Sequence, residues 1–271
     1  MMINFIADNE LTIRLAFFFG IFSIMALWEI VKPCRALTVA KSTRWLSNLG
    51  LVVLNSVALR LVFPAAATGF AVFIGNQGWG LFNQVNLPAP IEIILSVIIL
   101  DCAIYWQHVA FHYSPFFWNF HKVHHADLDY DVTTGSRFHT IEIIFSMCIK
   151  FFAIAILGPS ATAVILFEVI LNGVAMFNHS NITLPKKFDR VLRLFVVTPD
   201  MHRVHHSVVP DELNSNFGFN LPWWDRIFKT YRQETRAGNH DMVIGLSDYR
   251  DKNIASKLWS MLKIPFLNTL K

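Results

Sequence analysis

Four apolar runs, each long enough to cross a bilayer or turn back inside one, leave this chain few choices of fold. The first extends from Leu11 to Val31, and the second from Trp45 to about Ile74 with interruptions at Arg60 and Pro64. A third runs from Ile91 to Tyr113, and a fourth, Ile141 to Phe177, is split by Gly158-Pro159 into what reads as a hairpin of two short spans. Hydrocarbon offers no partner for backbone N–H and C=O groups, so such runs close their hydrogen bonds as helices. Apolar residues make up 54% of the 271 residues, with 25 Phe, above the roughly 45–50% of a soluble chain. The expected fold is an all-α integral membrane protein, with about four or five transmembrane or hairpin helices and a cytoplasmic histidine-rich helical cap.

Loop charges set the expected orientation. Lys32, Arg35, Lys41 and Arg44 crowd the first loop, whereas Gly75 to Pro90 carries no Lys or Arg. By the positive-inside rule the first loop is cytoplasmic and the second is not. If the Trp45–Ile74 run crosses once, residues 114–140 and 179–271 fall on the cytoplasmic side together. A cluster of Lys186, Lys187, Arg190 and Arg193 suits anionic headgroups or a plain solvated face. Cys34, Cys102 and Cys148 are scattered and odd in number, which argues against a disulfide framework or a zinc ribbon. The amino terminus lacks a basic start and a cleavage site, so no signal peptide is expected. Three regions follow: a spanning part at 1–90, a histidine-bearing part at 91–235, and a polar or amphipathic tail at 236–271.

The histidines are not spread at random. Of the 11, eight fall into HxxxH (His108, His112), HxxHH (His121, His124, His125) and HxxHH (His202, His205, His206). Residues three and four apart share a helix face, so each cluster is expected to present its rings as one patch. Imidazole is a common ligand of iron, zinc, copper and nickel. Eight clustered rings exceed what one tetrahedral ion uses, so two metal ions are expected. His179, in FNHSN, lies at a span boundary on the same side and is the better extra ligand. His139, in SRFHTIE, is either a ligand or a hydrogen-bond partner of Glu142, and His240 belongs to the surface.

Around the clusters, Asp101, Tyr105, His108 and His112 form one polar stripe on an apolar helix. Ionisable groups inside a span normally face the bundle interior. Asp101 and Tyr105 therefore orient a ligand or relay a proton, or Asp101 is a structural hydrogen-bonded carboxylate. Asp127, Asp129 and Asp131 follow the second cluster, where a carboxylate either offsets metal charge and takes the second N–H of a ligating ring or, for at least two of the three, simply faces solvent. Phe116, Phe117 and Trp118 are placed to wall an apolar slot or simply to pack, and Trp223-Trp224 to anchor the cap at headgroup level.

HVAFH, HKVHH and HRVHH, in this order after apolar spans, resemble the three histidine boxes of the fatty acid hydroxylase/sterol desaturase superfamily. The likeness extends to SRFHTIE, NHSNITLP and SNFGFNLPWWDRIFKTY and covers about residues 95–235. It implies a membrane-embedded oxidase with two iron ions that uses O2 to hydroxylate or desaturate a lipid, whether sterol, fatty acyl chain, ether lipid or carotenoid. The chemistry agrees, because attack on an unactivated C–H bond needs a redox metal and zinc has no redox chemistry. No Gly-rich dinucleotide fingerprint is visible, so a separate ferredoxin or cytochrome-type donor is expected. The net charge of +4 calls for no nucleic acid. The competing reading is a membrane zinc hydrolase. A metal carrier fits less well, since the histidines gather on one side and the Gly75–Pro90 face has none.

Overall fold

The computed structural model describes residues 2–267, and every regular element among them is helical. The chain opens with α1 (Met2–Asp8) and continues through α2 (Glu10–Val31), α3 (Lys41–Val62), α4 (Ala67–Asn76) and α5 (Ala89–Tyr113). Then come α6 (Pro115–His125), α7 (Thr140–Leu157), α8 (Ala161–Asn178), α9 (Lys186–Leu192) and α10 (Pro199–His205). Five segments are long and apolar enough to cross a membrane: α2, α3 with α4, α5, α7 and α8. The protein is a multi-pass helical membrane protein.

Local chemistry sets the boundaries. Pro115 and Pro199 sit at the first positions of α6 and α10, where a missing N–H costs nothing. The Ser160 hydroxyl accepts from Ala163 N–H at the start of α8, and Glu92 of α5 takes the Ser160 N–H at 2.9 Å. Between α7 and α8, Gly158 turns the chain at φ +63°, where a Cβ would stand 2.6 Å from the Trp79 carbonyl. Only glycine fits there, and that turn makes the expected hairpin.

The second apolar run traverses the bundle once. Arg44 at its start binds Asp127 and Asp131 beside the histidines. Further along, Phe63 packs on Phe151, Ile74 joins Ile154 and Val164, and Gly80 reaches Gly158 at the far end of the bundle. Pro64 breaks the helix without reversing it, because α4 continues toward the same end. All nine clustered or boundary histidines therefore gather at one end.

Residues 236–267 are less of a free tail than the composition implied. Met261 and Ile264 are buried against Leu51 of α3 and Val123 of α6, Ala255 is buried with Val39 and Leu128, and Arg137 donates to the Ala255 carbonyl. Short helical turns need such packing to persist, and these wrap the outside of the histidine-bearing helices.

Candidate metal centre

Nine imidazoles converge into two groups. His108, His112, His121, His125 and His205 form one, and His124, His179, His202 and His206 the other; within each group the ring nitrogens lie within 4.8 Å of one another. All are buried except His112, which is half-buried. The HxxHH boxes do not act as single patches, as their spacing implied. In α6, His121 and His125 turn to the five-ring group and His124 to the four-ring group; in and just after α10, His202 and His206 go one way and His205 the other. On a helix of 3.6 residues per turn, positions i and i+4 align closely while i+3 points some 60° aside. Wedging each box between two neighbours sends that third ring to the other group.

Hydrogen bonds orient the rings. His108 Nδ1 donates to the Phe217 carbonyl at 2.8 Å and His205 Nδ1 to the Ser215 carbonyl at 2.7 Å. His121 Nδ1 meets Glu142 Oε1 at 2.6 Å, His112 Nδ1 meets Asn214 Oδ1 at 3.2 Å, and His179 Nδ1 donates to the Ala175 carbonyl at 2.8 Å. A neutral ring whose Nδ1 carries the hydrogen presents a lone pair at Nε2. Yet His108 Nε2 and His205 Nε2, both on rings whose Nδ1 donates to a carbonyl, face each other at 3.0 Å. Two lone pairs at that separation repel unless a cation lies among them. His206 adds two buried ring nitrogens with no partner among the described residues, and His124, His125 and His202 each leave Nδ1 without one. Buried nitrogens are rarely left so, and the donor set fits two metal ions.

Burial also keeps the rings outside the spans uncharged. It pushes His121 and His179 down to about 3, and His124, His125, His202, His205 and His206 well below the usual histidine range, with neighbouring rings adding to the shift. Neutral imidazole is the ligating form.

The other expected residues take different places. His139 lies outside both groups: its Nδ1 accepts from Ile141 N–H to cap α7, and its Nε2 meets the Leu262 carbonyl at 3.3 Å. The Glu142 side chain, one of the two alternatives for a His139 partner, reaches His121 instead, so neither expectation for His139 is met. Asp101 takes the Asn220 and Leu221 N–H groups and the Trp224 indole N–H (2.8 Å), and Tyr105 bonds Thr230 at 2.9 Å. Trp224 is thus an internal tie, while Trp223 stays exposed. The three aspartates serve the scaffold: Asp127 and Asp131 grip buried Arg44, and Asp129 accepts from Thr38 and Val39 N–H. One of the four loop cations is therefore an internal counter-ion. His240 is exposed, as expected.

Three contributors carried no signal of their own. Asp225 accepts from Phe217 and Gly218 N–H, fixing the segment whose carbonyl holds His108; burial raises its carboxyl to about 6. Asn214 and Gly135 were silent too. A Cβ on Gly135 would stand 2.6 Å from the Ala175 carbonyl oxygen, so only glycine lets this turn approach the His179 support.

A cavity of about 1050 Å³ leads from α1 and α2 through the bundle to the five-ring group. Its wall includes His108, His121, Phe111, Phe138 and Phe219, but neither Phe116 nor Phe117, which meet Phe145 edge to face instead. Trp118 packs on His112 and His125.

A helical membrane bundle holding a paired histidine centre at the end of a lipid-sized cavity defines a class. A model described as fatty acid hydroxylase matches residues 93–230, about half of the chain, and the chain belongs to that family of lipid-modifying oxidoreductases. It is similar to an ornithine lipid hydroxylase of Rhizobium tropici, 27% identical over 82% of this chain and 68% of that one. An alkylglycerol monooxygenase of Xenopus tropicalis is 30% identical over 69% of this chain, which spans 41% of that protein's length. A C-4 methylsterol oxidase of Schizosaccharomyces pombe is 26% identical over 56% of this chain and 52% of its own. These three are oxygenases or oxidases rather than hydrolases. No solved structure matches.

Proposed function

We propose that this protein is a di-iron, O2-dependent hydroxylase or desaturase of a membrane lipid. The observation that carries it is the set of nine inward-facing imidazoles whose ring nitrogens gather into two compact groups, five in one and four in the other. When bound, the two irons supply the redox chemistry that lets O2 attack an unactivated C–H bond.

The chain's own residues supply the rest. His108, His112, His121, His125 and His205 hold one ion, and His124, His179, His202 and His206 the other. Glu142 and the Phe217, Ser215 and Ala175 carbonyls fix ring tautomer and direction. Phe111, Phe138 and Phe219 keep the cavity end dry. Of the nine rings only His108 and His121 line that cavity, so the five-ring group meets the substrate. The centre faces the cytoplasm, supported by Lys32, Arg35 and Lys41 on its side and by the lack of Lys and Arg over Gly75 to Pro90. A separate ferredoxin or cytochrome-type protein delivers electrons there.

The test is iron-loaded protein in lipid vesicles with a chemical reductant and isotopically labelled O2, read by metal analysis, oxygen uptake and lipid mass spectrometry. About two irons per chain with a labelled hydroxyl or a new double bond is expected. Zinc-dependent lipid hydrolysis without oxygen uptake would overturn the reading.

A further inference from the structure

The cavity has a second pole. Away from the histidines, Glu10 and Arg14 of α2, Lys150 of α7 and Glu168 of α8 line its wall, and Thr68 of α4 ties into the same bonded cluster from behind it. Arg14 Nε meets Glu10 at 2.8 Å, while its Nη2 meets Glu168 at 2.6 Å and Thr68 at 3.1 Å. Lys150 binds the other Glu168 oxygen, and Thr68 donates to Glu10 at 2.8 Å. Ionisable groups at this depth are costly and mark a functional path more often than a scaffold.

These groups keep unused donors beside open space. Arg14 Nη1 has no partner among the described residues, and Lys150 contacts only Glu168. The balance of charge limits what they can bind. Asp8, Glu10 and Glu168 on this part of the wall oppose Arg14, Arg60 and Lys150, three against three. A charged guest would leave an uncompensated ion beside Glu168, whose side chain is 11% exposed, at a cost that its contacts with an already balanced set do not return. An uncharged oxygen would take the free N–H groups without that penalty.

The distance is fitting. Eight residues of α7 separate Glu142, at the five-ring group, from Lys150, and seven of α8 separate Ala175 from Glu168. At 1.5 Å per residue the two poles stand roughly 10–12 Å apart. Resting on the lipid-oxidase reading, we propose that the Arg14–Lys150 pole binds an uncharged oxygen group of the substrate, a hydroxyl or an ester or amide carbonyl. It thereby measures which carbon along the attached hydrocarbon reaches His108 and His121.

The experiment measures binding without turnover, on iron-loaded protein in nanodiscs with no reductant. A long-chain alcohol, the alkane of equal length and the matching carboxylate displace a fluorescent fatty alcohol. Wild-type protein should prefer alcohol to alkane by about tenfold, one good hydrogen bond to a charged donor. K150M should shrink that preference several-fold and K150R should restore it. E10Q leaves the pole with one net positive charge and should raise carboxylate affinity about tenfold, a change that a merely structural ion network would not produce. Metal content and melting temperature check folding, and E10Q decides alone if K150M does not fold. Equal wild-type affinity for alcohol and alkane, or no carboxylate gain in E10Q, overturns the proposal. Failure of the oxidase reading would appear separately, as absent oxygen uptake with the binding preference intact.

Discussion

The two histidine groups differ in how firmly the protein holds them. In the five-ring group, four rings have Nδ1 tied: His108 to Phe217, His112 to Asn214, His121 to Glu142 and His205 to Ser215. In the four-ring group, among the described residues, only His179 is tied, to Ala175, and Nδ1 of His124, His202 and His206 has no partner. The first is oriented before any ion arrives, whereas the second depends on packing and on the ion itself. The better-ordered group is the one that opens on the cavity, where an error in ring direction would displace the reaction most.

Removing one ring from each group should have the largest and most unequal effect. His206→Ala leaves three rings in its group and should lower bound metal from about two ions to about one, since a closed site wants four ligands. His112→Ala leaves four and should keep both ions. Both should abolish lipid oxidation. Equal metal loss in the two variants would break the distinction.

Acid should come next, measured on protein stripped of metal. All four rings of the smaller group lie outside the spans and titrate far below their unfolded value, as do His121, His125 and His205. Their folded form is neutral, so the unfolded chain binds more protons below about pH 6.5. Stability is thus fully present above about 6.5 and falls as pH drops toward 3, by up to about 1.4 kcal/mol per unit for each ring. Melting temperature in detergent should hold from pH 8 to about 6.5 and then fall steeply. A flat profile down to pH 5 would mean the rings are not held neutral.

Glu142→Ala removes the support of His121 and should weaken metal binding in the five-ring group about 10- to 100-fold, with less effect on the other. Chelator competition followed by metal analysis reads the difference, and equal release from both groups would refute the assignment. Gly135→Ala is aimed at the smaller group. Its Cβ presses on the Ala175 carbonyl that holds His179, costing about 1–3 kcal/mol in stability and loosening that ion. The smallest effect belongs to His139→Ala, which should lose only a helix cap, about 1 kcal/mol, and retain both ions. Metal loss there would return His139 to the centre.

Much of this was legible in the chain. Apolar runs dictate spans because hydrocarbon tolerates no unpaired backbone, and Gly158-Pro159 marks the reversal. The boxes announce metal because imidazoles at helix-face spacing have few other uses, and His179 was legible from its boundary position. Harder to read were the groups that orient the rings. Backbone carbonyls such as Phe217 and Ser215 carry no residue signature, and Asp225 acts on His108 only through the segment it ties. The three aspartates after HKVHH misled for a related reason: their neighbours in sequence are histidines, but their neighbour in space is Arg44, more than 80 residues away.

By itself the sequence determined that this is a helical membrane protein, that its histidines gather at one end if the Trp45–Ile74 run crosses once, and that two ions suit their number. Local rules suffice there, since helix period and hydrophobic length act within a few turns. Only the tertiary structure decided which ring joins which group, that His139 caps a helix instead, and that the cavity meets His108 and His121. Those outcomes depend on how α5, α6, α8 and α10 wedge together, and the direction of a ring in a packed core is set by neighbours far away in the chain.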